Sequence, residues 1–464
     1  MKCNTWQLPA ENFRVFHSLV DKIDNSVIIN RRNFIGCIIS SVAFTAFPIP
    51  LAQSKEKIKV VWHGLSFMET CEDDCANLTR TYPNIYNIFN NEENISKIWK
   101  ALTSKIRAFG KGAQPFDLII PSGESADVGQ PDVGMVLAVT SEADIGSRYY
   151  AEEDRSLLIY EIQCYGIIFE FKNFRVMNSF PIRLWRVDTV RGKRNLNTLR
   201  KFFFNTLSGQ FAGDEVVLPE IFSKKLKDID FRATDTLSIR VTKVTITKGM
   251  KKWVTKQNKT NKELKSLTGN SLTSAISETA KIGIQPFSVN KSLGDLAVTL
   301  ASSGADAAIF NQLTLREPDL DIRLKLVGVR VKVKNINANK NSYRVTIGAK
   351  ITIAQYKYDF RESGGSRELI KETLLETILS QNLMAISLEY ATGQWRNDWY
   401  WVIDLYHALF EWFFSSVLDQ EKIPNMAKGY NRRGKTRLFK FKVVTKDKSK
   451  FLSEAAILRK KLLT

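Results

Sequence analysis

The sequence predicts an α+β fold, with two mixed-sheet modules that each contain a long β-hairpin, followed by C-terminal helices and a basic tail. Paired runs rich in Ile, Val, Tyr and Phe indicate hairpins. Other segments carry apolar residues at helical spacing. The chain has 464 residues, of which 44% are hydrophobic and 11% aromatic. This composition is typical of globular proteins, and the length allows two or three domains.

The first module is expected to span residues 55–212. Its clearest signal is a long hairpin, in which an Ile-, Tyr- and Phe-rich arm is followed by a short polar turn and a returning arm. The predicted elements are, in order, strand 58–62, helix 95–109, strands 116–120 and 134–139, hairpin arms 157–171 and 175–187, and helix 199–211.

Residues 213–274 are predicted to form a strand, 235–247, and then a Lys-rich linker, because 248–274 is poor in large apolar residues. The second module, 275–427, follows. Its predicted elements are helix 293–310, hairpin arms 321–333 and 343–360 around a turn at 335–342, and helices 368–388 and 395–418. The last helix has an apolar stripe that indicates a packed core helix, although a partner groove or membrane-surface face would give a similar pattern.

The basic tail, 428–464, carries thirteen Lys or Arg residues against two acidic ones. An alternating run at 438–444 predicts a basic edge strand, where lysines discourage aggregation. The tail could contact a polyanion or could be a solvated basic surface. The candidate contact residues are Arg432, Arg433, Lys435, Arg437, Lys440, Lys442, Lys446, Lys448 and Lys450.

Cysteine use is sparse after the first 54 residues. Cys71 and Cys75 are close enough in sequence to close a small loop, which predicts a disulfide in an oxidising compartment. Two free thiols, or a metal site that uses the nearby His63, are the alternatives. Cys164 lies within an apolar strand and is expected to be buried.

Motifs for catalysis are missing from the sequence. The chain lacks a phosphate-binding loop, a Gly-x-Ser-x-Gly elbow and a His-Glu-x-x-His helix. Glu317, Asp319 and Asp321 could supply paired carboxylates for a hydrolase, provided that burial separates their pKa values. The sequence therefore favours a protein without catalytic residues, metal or cofactor.

An export signal is predicted near the amino terminus. Arg31 and Arg32 precede an uncharged apolar run, 34–47, that is too short to span a bilayer. The order Arg31, Arg32, x, Phe34 resembles the bacterial twin-arginine signal, with Asn30 where that family has Ser or Thr. Small residues near 52–54 predict a mature chain that starts at Lys55, which lowers the formal charge from +20 to +18.

A second resemblance concerns the order of elements in the first module. Residues 59–62, 132–139 and 168–176 resemble parts of the α+β domain shared by the amino-terminal part of the Tol-system propeller protein and by the curli secretion lipoprotein. That resemblance implies a role in cell-envelope assembly, secretion or scaffolding. The chain lacks a lipid-attachment Cys at the expected mature start, unlike that lipoprotein.

Together these patterns predict a periplasmic or envelope-associated binding or scaffolding protein. Its expected partner is an envelope protein or an anionic lipid or polysaccharide surface. A periplasmic hydrolase is one alternative. A cytoplasmic nucleic-acid-binding protein is the other and requires the export interpretation to be wrong, since nucleic acid is an improbable partner outside the cytoplasm.

The twin-arginine interpretation predicts that Arg31→Lys combined with Arg32→Lys blocks export, because the paired guanidinium groups are what the receptor would read. Fractionation of cells, followed by sequencing of the mature amino terminus, measures the outcome. Cleaved double variant outside the cytoplasm would contradict this route.

Overall fold

The computed structural model describes residues 58–68, 76–110, 116–119, 133–170, 175–211, 216–227, 237–287, 315, 318–337, 340–359, 368–388, 398–419, 430–433, 437–444 and 447–463. The chain divides into two units, Met1–Lys55 and Glu56–Thr464, and every described residue belongs to the second. Helices combine with two mixed sheets, which confirms the α+β fold.

The strands and helices follow one another along the whole described chain. The strands are β1 Ile58–Phe67, β2 Phe116–Ile119, β3 Val133–Tyr150, β4 Arg155–Glu170, β5 Arg175–Arg191, β6 Ile239–Ile246, β7 Leu320–Asn337, β8 Lys340–Asp359, β9 Glu368–Leu388, β10 Tyr430–Arg433 and β11 Arg437–Val444. The helices are α1 Ala76–Thr81, α2 Ile85–Phe89, α3 Glu92–Gly110, α4 Leu196–Ser208, α5 Leu218–Leu226, α6 Lys248–Lys256, α7 Asn261–Ala280, α8 Asp398–Leu418 and α9 Lys448–Leu463.

The amino-terminal sheet has the strand order β2-β1-β3-β4-β5, and the carboxy-terminal sheet has the order β10-β11-β9-β8-β7-β6. Strand β1 pairs in parallel with β2 and β3, and β6 pairs in parallel with β7. The remaining pairs are antiparallel. Both predicted hairpins are confirmed as β4–β5 and β7–β8, although the second turn is shorter than predicted because β7 continues to Asn337.

Helices α1 to α5 pack on one face of the amino-terminal sheet. Trp62 of β1 lies in this core, with its ring 5.8 Å from that of Trp99 on α3 and 5.4 Å from that of Phe222 on α5. The carboxylate of Glu142 on β3 accepts hydrogen bonds from the backbone N–H groups of Asn84 and Ile85, which fixes the start of α2 against the sheet. Burial is the main reason that the pKa of Glu142 rises to about 7.

Glycines in the amino-terminal sheet lie beneath aromatic rings of the neighbouring strand. Gly134 of β3 is directly opposite Phe169, and Gly166 of β4 is directly opposite Phe180. A Cβ atom at either glycine would overlap the facing ring. The missing side chains therefore let the phenyl rings lie flat on the strands.

Helix α7 lies between the two sheets, although its sequence was expected to be a linker. Two buried threonine hydroxyls bond within the helix: Thr268 Oγ1 donates to the Leu264 carbonyl at 2.7 Å, and Thr273 Oγ1 donates to the Gly269 carbonyl at 2.9 Å. The polar composition that suggested a linker is thus compatible with burial. A capping box between Thr260 and Glu263 starts the helix.

The segment after α7, residues 282–287, is hydrogen-bonded to both sheets. The Ile284 N–H donates to the Ser179 carbonyl on β5 at 3.0 Å, and the Gln285 N–H donates to the Ile239 carbonyl on β6 at 2.8 Å. Tyr165 of β4 adds a third connection, because its hydroxyl donates to Asn270 Oδ1 on α7 at 3.0 Å. These bonds join the two sheets through one short stretch of chain.

The helix predicted at residues 368–388 is wrong, because this segment is strand β9. The apolar residues recur at helical spacing, but burial alternates from residue to residue, so that Thr377 is buried while Ile378 is 39% exposed. Pairing along the whole of β8 overrides the helical spacing of the leucines. The helix predicted at 395–418 is confirmed as α8, and the buried aromatic residues of α8 make it a core helix.

The tail is part of the folded chain. Strand β11 lies between β9 and β10, so the prediction of an edge strand at 438–444 is wrong. Helix α9 buries Phe451, Ala455, Leu458 and Leu462 in the core shared with α8. Cys164 is buried as expected, and burial raises the pKa of its thiol. The predicted helix at 293–310 and the pair Cys71 and Cys75 lie outside the described residues.

We expect Gly166→Ala to lower the free energy of unfolding by about 1–3 kcal/mol, because its methyl group must displace the Phe180 ring in a packed sheet. Gly249→Ala is the matched control. Nothing lies within 4 Å of a Cβ at that position of α6, so this change is expected to be neutral or to stabilise by up to about 1 kcal/mol. Urea denaturation measures both, and equal effects would contradict the packing argument.

Candidate basic face of the carboxy-terminal sheet

The carboxy-terminal sheet has one apolar face and one basic face. Along β7, Leu320, Ile322, Leu324 and Leu326 are buried, whereas Arg323 and Lys325 between them are exposed. This alternation follows from the two-residue period of a strand. The apolar face packs against helices α6 to α9. We define the basic face by its cations, which are Lys243, Arg323, Lys325, Arg330, Lys332, Arg344 and Lys350.

Strand register brings like charges together on the basic face. Lys325 is directly opposite Lys350, Lys332 is opposite Arg344, and Lys243 is opposite Arg323. Directly opposed side chains have Cβ atoms about 4.5–5.5 Å apart, and like charges at that spacing destabilise a sheet. Opposed cations therefore carry a cost unless a carboxylate or another anion lies beside them.

Two of these cations are neutralised by carboxylates. Lys350 Nζ lies 2.7 Å from Glu376 Oε1, and Arg323 Nε lies 2.9 Å from Oδ2 of the buried Asp321. By contrast, within the part of the chain that is described, Lys243, Lys325, Arg330 and Lys332 form no ion pair. The basic face thus keeps a positive charge of its own.

Directly paired residues, followed from strand to strand, form rows across the sheet. The rows of three tail candidates reach the strands of the basic face. Lys440 is opposite Asn382. In the same row, Asn382 is opposite Thr346, and Thr346 is opposite Arg330. Lys442 is opposite Ser380. Arg433 is opposite Leu438, whose row continues through Met384 to Arg344.

The other tail candidates do not share these rows. Arg432 and Arg437 occupy different register positions, opposite Phe439 and Ala385. Lys448 and Lys450 are exposed at the start of α9. Lys435 and Lys446 lie outside the described residues, as do the export-signal residues Arg31, Arg32 and Phe34.

The basic positions of β7 and β8 were missed by the sequence analysis, which identified the strands but not their charged side. The signal is present in the alternation Arg323-Leu324-Lys325-Leu326, where every second residue is a cation. The tail was predicted instead because thirteen cations lie within its 37 residues. Only the register shows that separate strands place their cations together.

Two of the carboxylates proposed for a hydrolase, Asp319 and Asp321, have structural partners, and Glu317 lies outside the described residues. Asp319 Oδ2 accepts a hydrogen bond from the Ser238 N–H at 2.7 Å. Asp321 is fully buried and accepts from Arg323, Thr242 and, at 3.3 Å, the Tyr356 hydroxyl. His63 is also buried, and burial lowers its pKa to about 4, so the imidazole is neutral at pH 7.

A polar layer lies between the amino-terminal sheet and helices α7 and α8. Glu161 of β4 is fully buried, and Arg183 of β5 contacts both of its oxygens, with Nε at 2.8 Å and Nη2 at 3.2 Å. Burial lowers the pKa of Arg183. The nearby carboxylates of Glu161, Asp404 and Glu411 together raise it by more, so the net shift of the pKa is upward. Beside this pair, Gln163 Oε1 is buried without a hydrogen-bond partner among the described residues.

No protein-family model matches this chain, and a search of curated proteins finds no match. None of the helices in the described part of the chain is long and apolar enough to cross a membrane.

We expect Glu161→Gln to lower the free energy of unfolding by about 3–5 kcal/mol, because it leaves the Arg183 charge buried without its closest partner. The double variant Glu161→Leu, Arg183→Met should recover most of this loss. Glu93→Gln is the matched control, since Glu93 is 75% exposed and pairs with Lys97 on the surface. Urea denaturation measures all three, and a loss below about 1 kcal/mol for Glu161→Gln would contradict the prediction.

Proposed function

We propose that the protein is a non-enzymatic binding protein of the bacterial cell envelope that attaches to anionic lipid headgroups through the basic face. The observation that carries this proposal is the set of cations that β6, β7 and β8 present on one open side of the carboxy-terminal sheet. The predicted export signal with Arg31 and Arg32 supports the location.

A lipid surface suits the basic face better than a nucleic acid does. Val327 is 41% exposed and Ile378 is 39% exposed between the cations, so the face combines positive charge with aliphatic side chains. Proteins that bind single-stranded nucleic acids commonly stack bases on aromatic rings. Residues 323–332 and 344–352, which form the centre of the face, contain no aromatic residue.

The expected affinity is modest and depends on salt. Each Lys or Arg near an anionic bilayer contributes about 1 kcal/mol. The four cations without an ion pair among the described residues would contribute about 4 kcal/mol, which corresponds to a Kd of about 1 mM. Burial of Val327 and Ile378 would strengthen this binding. We therefore expect the protein to attach reversibly to a surface that is rich in anionic lipid.

The test compares binding to vesicles of phosphatidylglycerol with phosphatidylcholine and to vesicles of phosphatidylcholine alone. The variant Lys325→Glu, Arg330→Glu, Lys332→Glu reverses three exposed charges of β7. The control variant Lys100→Glu, Lys201→Glu, Lys224→Glu reverses three exposed charges on α3, α4 and α5. Both variants have the same net charge. Truncation of the tail is unsuitable, because it would remove the α9 residues that pack in the core, Phe451, Ala455, Leu458 and Leu462.

The wild type and the control should bind anionic vesicles at low salt, and the β7 variant should bind at least tenfold less. Binding should be lost in 1 M salt, where the Debye length is about 3 Å. Equal loss in both variants would indicate attraction by net charge alone and would contradict the proposal. Retention of single-stranded DNA or an acidic polysaccharide, with no retention of vesicles, would favour another polyanion.

A further inference from the structure

Helices α7 and α8 bring three potential metal ligands together at the polar layer. Glu278 lies in the last turn of α7, and His407 and Glu411 lie one turn apart on α8. One ligand atom from each residue falls within 4.8 Å of the other two. His407 Nε2 and Glu411 Oε1 are 3.0 Å apart.

The three side chains differ in their access to solvent. Glu278 and Glu411 are 36% and 44% exposed, whereas His407 is only 13% exposed. The imidazole is therefore held in place by packing, while both carboxylates can be reached from outside and can adjust. His407 Nδ1 is buried without a hydrogen-bond partner in the described part of the chain, so the structure leaves Nε2 as the nitrogen that faces the carboxylates.

Two positively charged side chains next to this cluster would compete with a metal ion for its carboxylates. Lys225 Nζ lies 3.4 Å from Glu278 Oε1, and Arg183 is close enough to Glu411 for the two charges to interact. An ordinary network of ion pairs is the alternative interpretation. Lys225 is 24% exposed at the end of a flexible side chain, so it can give up its contact without opening the core.

We propose that Glu278, His407 and Glu411 bind one Zn²⁺ ion. An imidazole nitrogen with two carboxylates is a donor set that Zn²⁺ accepts, whereas Mg²⁺ and Ca²⁺ prefer oxygen alone. Ligand atoms around a tetrahedral Zn²⁺ lie about 3.3–3.6 Å apart, given bond lengths of about 2.0–2.2 Å. Movement of the exposed carboxylates by about 1–2 Å brings the cluster to that geometry.

The ion would connect two helices and would keep one coordination position open. Three protein ligands leave the fourth position of a tetrahedral ion to water or to a group from a partner. Because the ligands come from both α7 and α8, the ion would fasten together the two helices that lie between the sheets. This inference is independent of lipid binding by the basic face.

Isothermal titration calorimetry on the intact, chelator-treated protein tests the site, with Zn²⁺ as the probe and Mg²⁺ and Ca²⁺ as comparisons. The variants are His407→Ala, Glu278→Gln and Glu411→Gln. Glu454→Gln is the matched control, because Glu454 pairs with Lys450 on α9 and is not part of the cluster. Circular dichroism without metal establishes that each variant is folded.

We expect one Zn²⁺ per chain, a Kd raised more than about tenfold by each ligand variant, and no change for Glu454→Gln. Zn²⁺ should also raise the Tm of the wild type but not that of Glu278→Gln. Because Glu278 is 36% exposed, the fold tolerates this substitution, and a missing Tm shift reports lost Zn²⁺ binding. Zn²⁺ binding that is equal in all variants, or absent from the wild type, would overturn the proposal and leave an ion-pair network.

Discussion

The architecture depends on a polar helix being buried between two sheets. Helix α7 can occupy that layer because its threonines donate hydrogen bonds to carbonyl groups one turn earlier. The segment 282–287 then hydrogen-bonds to β5 on one side and β6 on the other. This layer covers one face of the carboxy-terminal sheet, and the strand period requires the alternate side chains to point to the opposite face. Together with α6, α8 and α9 this layer covers the apolar face, so the basic face lies on the side of the sheet that the helices leave open.

The two candidate sites use the two sides of this arrangement. The basic face is formed by the side of the sheet that the helices leave open, and four of its cations form no ion pair with the described residues. The cluster of Glu278, His407 and Glu411 lies within the helix layer itself, beside the buried pair of Glu161 and Arg183. The first site could attach the protein to a surface, and the second could stabilise the layer that organises that surface.

The sequence predicted most elements whose periodicity agrees with their burial. Both hairpins and the apolar helix α8 were predicted because pattern and environment coincide in them. Strand β9 was not predicted, because in it the polar Thr377 is buried and the apolar Ile378 is exposed. Pairing with β8 makes this segment a strand. Helix α7 was predicted as part of a linker because the segment is rich in lysine and poor in large apolar residues, whereas Thr260 and Glu263 form the capping box that starts the helix. The basic face required the register between strands, which a single sequence does not contain.

The basic face is tested most directly by acetylation of lysines, followed by mass spectrometry, with and without anionic vesicles. Lys325 and Lys332 of β7 should react several-fold more slowly when vesicles are present, because the bilayer would cover them. Lys100 and Lys201, on the helices of the amino-terminal sheet, should react at unchanged rates. Equal protection of all four lysines, or protection of the helical lysines alone, would contradict the account.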